Sequence, residues 1–194
     1  GSRDTTVRLW NTLAVQKFVF EEEGHKDCVS SVLTTPQSSS ISIMSAGWDK
    51  VVKIWSLTPT RCLRTIYGHS NAINSMSVCP DGTLLATGSK DTTINVWNIN
   101  ESKLNNKFNA GGVVNSVSFN PRFFLMAAAV GSTIQLYNLN TNLVYQTVIP
   151  VDLDNPKTLP TVISLSWSND GTFLFAGYSD CKVRIFCLRP QSAC

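Results

Sequence analysis

His25, Ser45 and Asp49 are the ingredients of a hydrolase triad: a hydroxyl to attack, an imidazole to take its proton, and a carboxylate to orient the imidazole. His69, Thr87 and Asp91 repeat the set further along the chain. Two observations turn the reading away from catalysis. The hydroxyl residues lie within apolar strands, and no G-x-S-x-G elbow exposes a nucleophile. The constellation also occurs twice, as a structural device does and an active site does not. Each set is accompanied by a tryptophan, Trp55 or Trp97. An indole N–H donates to the hydroxyl, the hydroxyl to the imidazole, and the imidazole to the carboxylate, so every buried polar group finds a partner. These eight residues are therefore expected to form two structural networks, with no catalytic residue, no metal ligand, no cofactor and no small-molecule substrate.

The elements that must position them are short strands. Gly68 to Trp97 reads as a Gly-His pair, an apolar run over Ile73, Met76 and Val78, a Pro80-Asp81-Gly82 turn, a buried strand at Leu84 to Ala86, a turn at Lys90-Asp91, and a third strand in which Ile94 and Val96 alternate with polar residues. Three such strands cannot bury their faces alone, so the unit implies copies of itself. The third strand recurs as Val7-Arg8-Leu9-Trp10, Val52-Lys53-Ile54-Trp55, Ile94-Asn95-Val96-Trp97, Ile134-Gln135-Leu136-Tyr137 and Val183-Arg184-Ile185-Phe186. Six residues before each aromatic stand Asp4, Asp49, Asp91, Gly131 and Asp180, and adjacent copies are 45, 42, 40 and 49 residues apart. Four-stranded propeller blades have a period of about 40 to 50 residues.

The fold class is thus all-β: a propeller with four complete or nearly complete blades and part of a fifth. It spans residues 1–188, repeats end near 10, 55, 97, 137 and 186, and residues 189–194 form a tail. Outer strands are expected at Ala14 to Phe20, Arg61 to Tyr67, Leu104 to Phe108 and Leu143 to Ile149. A long polar loop is expected over Pro36 to Ser40 and an extended Pro-rich one over Pro150 to Pro160. The third complete repeat lacks the network, with Ala110, Ala127, Gly131 and Tyr137 at its positions, and the fourth keeps only Asp180. Those blades are expected to depend on apolar packing alone.

Composition narrows the class further. Hydrophobic residues make up 43% and charged residues 15% of the 194, which suits a globular core and not a disordered chain. The net charge of +3 is mild, and the 16 Lys and Arg are scattered. There is no apolar run long enough to cross a membrane and no signal-peptide pattern. Six cysteines without C-x-x-C spacing and two distant histidines make a zinc site improbable, and the cysteines read as reduced thiols of a cytoplasmic protein.

The Gly-His pairs at Gly24-His25 and Gly68-His69, with terminal Trp10-Asn11, Trp55-Ser56 and Trp97-Asn98, resemble the WD-repeat family. The literal Trp48-Asp49 sits in a turn and is not the family dipeptide. The segments GSRDTTVRLWNT, SAGWDKVVKIW, CPDGTLLATGSKD, NPRFFLMAAA and WSNDGTFLFAGYSD look like the receptors for activated C kinase, seven-bladed members of that family, from the end of the third blade through the seventh. That resemblance implies a non-enzymatic scaffold that docks protein kinase C-like kinases and associates with small-subunit ribosomal proteins. It places ribosomal RNA contacts on a first blade that this chain does not carry. Phe123 stands where relatives carry a phosphorylatable tyrosine, and Thr133 to Leu139 is similar to a segment implicated in kinase docking. The rival reading is another WD-repeat adaptor, such as a ubiquitin-ligase substrate receptor, which needs an accompanying recruitment domain. On the face made by the turns between second and third strands, Arg3, Trp48 and Lys90 precede the aspartate position, with Lys26 and Asp27 beside them. This is the expected protein-binding face, and Trp48 is its candidate anchor.

Overall fold

The structure, a computed structural model, describes residues 1–21, 23–35, 42–148 and 159–188. The expected loop over Pro36 to Ser40, most of that over Pro150 to Pro160, and the tail at 189–194 lie outside the described residues. The rest folds into five antiparallel meanders. The first pairs β1 (Val7–Trp10) with β2 (Gln16–Phe20). Three four-stranded blades follow: β3 (Val29–Thr34), β4 (Ser42–Gly47), β5 (Val51–Leu57) and β6 (Thr60–Tyr67); β7 (Ile73–Val78), β8 (Leu84–Ser89), β9 (Thr93–Asn98) and β10 (Lys103–Asn109); β11 (Val114–Phe119), β12 (Leu125–Val130), β13 (Thr133–Asn138) and β14 (Leu143–Val148). The last sheet holds β15 (Val162–Trp167), β16 (Phe173–Tyr178) and β17 (Val183–Cys187). The strand count matches the repeats read from the sequence. Strand ends shift by one to three residues from those expected; β2 starts at Gln16, because Ala14 is left-handed (φ 56°) and belongs to the turn before it.

Composition sorts the strands by depth. Second strands are the most apolar and the most buried; β12, Leu-Met-Ala-Ala-Ala-Val, is almost wholly inside, whereas the outer β14 is exposed along nearly its whole length. The apolar clusters lie between neighbouring blades and not within one. One joins Ile54 and Ile66 to Ile73 and Leu85, and another joins Ile94 and Phe108 to Val114 and Tyr137. A blade therefore gains its core only from its neighbour, as a repeat architecture requires.

The turns follow local chemistry. Gly82 (φ 72°) and Gly171 (φ 70°) take the left-handed position that Pro-Asp-Gly and Asn-Asp-Gly supply. After each aspartate of the inner turns the next residue is left-handed without being glycine: Thr5, Lys50, Thr92 and Cys181. The aspartate permits this by accepting backbone N–H groups two residues on, from Thr6, Thr93 and Lys182.

One repeated irregularity escaped the strand pattern. Each innermost strand carries a bulge at its second residue: Ser30, Asn74, Asn115 and Ile163. The bulge breaks the period-two alternation and, in the first three of these strands, aims that side chain at the next blade. Ser30 Oγ donates to the Ile73 carbonyl at 2.6 Å, Asn74 Nδ2 to that of Val114 at 2.8 Å, and Asn115 Nδ2 to that of Val162 at 2.8 Å. Serines on the same strands complete a zipper: Ser75 and Ser77 accept the N–H groups of Val117 and Phe119, and Ser116 accepts that of Leu165.

Candidate functional site: buried networks and the turn face

In the first four-stranded blade, β4 supplies Ser45, β5 supplies Trp55, the loop before β3 supplies His25, and the turn between β4 and β5 supplies Asp49. Trp55 Nε1 donates to Ser45 Oγ at 2.8 Å, the hydroxyl meets His25 Nε2 at 2.7 Å, and His25 Nδ1 meets Asp49 Oδ2 at 2.8 Å. The second blade repeats the relay: Trp97 to Thr87 at 2.9 Å, Thr87 to His69 at 2.8 Å, His69 to Asp91 at 2.8 Å. Both hydroxyl residues are fully buried, at 0% exposure, and each Oγ already has an indole donor, so neither is presented to a substrate carbonyl.

The carboxylates anchor the relays to the backbone. Asp91 also accepts the Ser70 N–H at 2.9 Å, the Thr93 N–H at 3.0 Å and the Thr93 hydroxyl at 2.7 Å. Burial alone raises a carboxyl, but these donors and His69 outweigh it and hold Asp91 at about 2. The Asp49 carboxyl is lowered in the same way: burial opposes, and the His25 and Lys26 donors win. Burial pushes His69 below the ordinary histidine value against the pull of Asp91, so the imidazole is neutral at neutral pH.

On the outside of the same turns, Trp48 is 39% exposed and Lys90 from the next blade places its ammonium 4.4 Å from the indole centroid. The two residues are 42 apart in sequence but share one cation–aromatic contact across the blade boundary. Lys26 is tied in below, its N–H donating to Asp49 Oδ2 at 3.0 Å, and the exposed Asp27 caps the start of β3 through the Cys28 N–H at 2.7 Å. Arg3 is exposed on the neighbouring turn, where the Ser2 carbonyl accepts the N–H of Val29. Of the five residues of the expected face, Trp48 and Lys90 share a cation–aromatic contact.

Comparison with known proteins meets the same repeats. The WD domain, G-beta repeat family model matches residues 16–56 and 60–98, and the model of the Anaphase-promoting complex subunit 4 WD40 domain matches 117–191. The chain belongs to the WD-repeat family. The chain is 39% identical over 179 residues to "Small ribosomal subunit protein RACK1" of Caenorhabditis elegans, covering 91% of this chain and 55% of that protein. It is 38% identical over 178 residues to "Cross-pathway control WD-repeat protein 2" of Flammulina velutipes, covering 91% of this chain and 56% of that protein. It therefore spans little more than half the length of these relatives.

Read as WD repeats, the departures from the family pattern acquire reasons. Where the family has Asp after Trp, Asn11 accepts the N–H groups of Leu13 and Val15, Asn98 those of Asn100 and Glu101, and Ser56 that of Thr58. Any short side-chain oxygen serves that turn.

The expectation that the network-free blades rely on apolar packing alone is corrected by two substitute arrangements. In the blade of β11 to β14, the Tyr137 hydroxyl donates to Gln135 Oε1 at 2.5 Å and Gln135 Nε2 donates to the Ala110 carbonyl at 3.1 Å. A backbone oxygen at the histidine position thus ends the relay. In the last sheet Arg184 grips Asp180 with two nitrogens, at 3.2 and 2.8 Å, and its guanidinium lies over the Tyr178 ring. In the first sheet Arg8 reaches Asp4 with one nitrogen, Nη2 to Oδ2 at 2.9 Å, and Thr6 Oγ1 with Nε at 3.0 Å. Gln135, Arg8 and Arg184 occupy the polar position two residues before the aromatic in the recurring strand, which was the signal available in the sequence.

Proposed function

We propose that this chain is the propeller part of a non-enzymatic, cytoplasmic scaffold that associates with the small ribosomal subunit and docks signalling kinases of the protein kinase C type. The observation that supports this most is the contrast between the two sides of the inner turns. Inside, the hydroxyl, imidazole and carboxylate groups are consumed by one another. Outside, Trp48 and Lys90 present a pre-ordered aromatic and cation across a blade boundary, the kind of rigid anchor on which interfaces concentrate their energy. Arg3, Lys26 and Asp27 on the flanking turns would form the polar rim. The segment resembling a kinase-docking sequence is β13, an inner strand with Ile134, Leu136 and Tyr137 buried, so docking is assigned to the turns and not to that strand.

Ribosome co-sedimentation and kinase pull-down with the full-length protein test the reading. Trp48→Ala is expected to lower capture of one or both partners with an unchanged melting temperature. Full capture by the variant, or no sedimentation of the wild type with ribosomes, would count against it.

A further inference from the structure

The charges of this protein are sorted by structural element. It has 16 Lys and Arg and 13 Asp and Glu, yet the seventeen described strands carry eight of the cations and not one carboxylate. Three of the eight are spoken for: Arg8 pairs with Asp4, Arg184 with Asp180, and Lys53 is buried against Thr65 and Trp55. The remaining five, Lys17, Arg61, Arg64, Lys103 and Lys107, all stand exposed on the outer strands β2, β6 and β10 of three successive blades. The fourth outer strand, β14, has no charge at all.

Two contacts tie these outer strands together. β2 and the start of β6 meet where Phe18, Phe20, Trp55, Thr60 and Arg61 line a shared cavity. The Arg64 guanidinium crosses to the next blade and donates to the Asn100 carbonyl at 2.5 Å and to Ser102 Oγ at 3.1 Å, beside Lys103. Both acceptors are neutral, so the Arg64 charge is kept. Two carboxylates flank these cations: Glu101, 3.5 Å from Lys103 and well exposed, and Glu21, on the rim of the Phe18 cavity. No carboxylate among the described residues pairs with Lys17, Arg61, Arg64 or Lys107. Beside Arg61, the Phe18 ring is 38% exposed and held edge-on to Phe20 at 5.0 Å.

We propose that this outer wall binds the phosphate backbone of single-stranded RNA, with a base stacked on Phe18. Exposed cations on three successive outer strands, with few carboxylates near them, complement a uniformly charged backbone, and an aromatic held beside Arg61 offers the sequence-tolerant stacking that single strands use. The surface is separate from the turn face and does not depend on the scaffold reading.

The test is fluorescence anisotropy of a labelled 12-nucleotide RNA of mixed sequence, titrated with the intact protein at several salt concentrations. Binding is expected to weaken with salt on a log–log slope of about −3, for about four phosphates neutralised. The Lys17→Gln, Arg61→Gln, Lys107→Gln variant should lose about two units of that slope, while an Arg/Lys exchange at the same three positions keeps it. Phe18→Ala should weaken binding at least about five-fold with the slope unchanged. Lys26→Gln with Trp48→Ala should leave RNA binding intact. The proposal is overturned by no binding at low salt, by an unchanged slope in the neutralised variant, by full affinity in Phe18→Ala, or by polyglutamate binding as tightly as RNA, which would mark an acidic-protein surface instead.

Discussion

Asp91 and Asp49 hold corresponding places in two copies of one network, and the structure predicts that removing them costs different amounts. Asp91 serves four donors: His69 Nδ1, the Ser70 and Thr93 N–H groups, and the Thr93 hydroxyl. Asp49 takes His25 Nδ1 and the Lys26 and Val51 N–H groups, but Val51, in the place of Thr93, has no hydroxyl to give, so Asp49 has one donor fewer. A hydrogen bond is worth about 1 kcal/mol net, and more to a charged acceptor. The donors near the surface recover part of their loss from water. Asp91→Ala is therefore expected to destabilise by about 3 kcal/mol and Asp49→Ala by about 2 kcal/mol. His69→Ala should cost about 2 kcal/mol, because the Thr87 hydroxyl it abandons can turn to the Asn95 carbonyl, 3.2 Å away. The double variant His69→Ala, Asp91→Ala should fall short of the sum by at least about 1 kcal/mol, since the two share a bond. Urea denaturation at pH 7 followed by tryptophan fluorescence measures all four. The accounting fails if Asp91→Ala costs no more than Asp49→Ala, or if Thr93→Val leaves the difference between them intact.

Four further outcomes are expected. Asn95 is 1% exposed and neither its amide nitrogen nor its oxygen has a partner, so Asn95→Leu should raise the urea midpoint, by about 1 kcal/mol in stability; a lower midpoint would show that the amide is satisfied. Gly68→Ala places a Cβ 2.5 Å from Trp97 Cη2 and should cost about 1–3 kcal/mol and perturb indole fluorescence; a silent variant would contradict that contact. Acid should act in two stages: His69 is lowered in the fold, so stability starts to fall as pH drops below 6.5, and Asp91, held at about 2 against 3.8, surrenders its share between pH 4 and 2. In a pH series of melting temperatures, His69→Ala should remove the upper stage and, because His69 is one of the donors to Asp91, shrink the lower one without abolishing it. Trp48→Ala should cost under about 1 kcal/mol, the worth of an exposed cation–aromatic contact; a larger loss of melting temperature would make Trp48 a packing residue.

The sequence by itself determined what is periodic and local. Five recurring strands, their spacing and their turn residues specify blades, because strand alternation and left-handed turn positions are properties of a few consecutive residues. The two relays were legible too, since Gly-His, hydroxyl, Asp and Trp recur at matching intervals. Tertiary structure decided whatever needs a neighbouring blade. Ser30, Asn74 and Asn115 look like ordinary polar residues interrupting a strand, yet each donates to a carbonyl at least 40 residues away, because the bulge and the stacking of blades bring that oxygen within reach. The Gln135 relay and the Arg184 grip were hidden because one amide or guanidinium replaces a histidine and a hydroxyl without sharing their spacing. The Trp48–Lys90 contact and the exposed cations on the neighbouring outer strands β2, β6 and β10 have the same origin. Each blade contributes one short segment, and only the regular stacking of repeats, set by the apolar clusters between them, joins those segments into a surface.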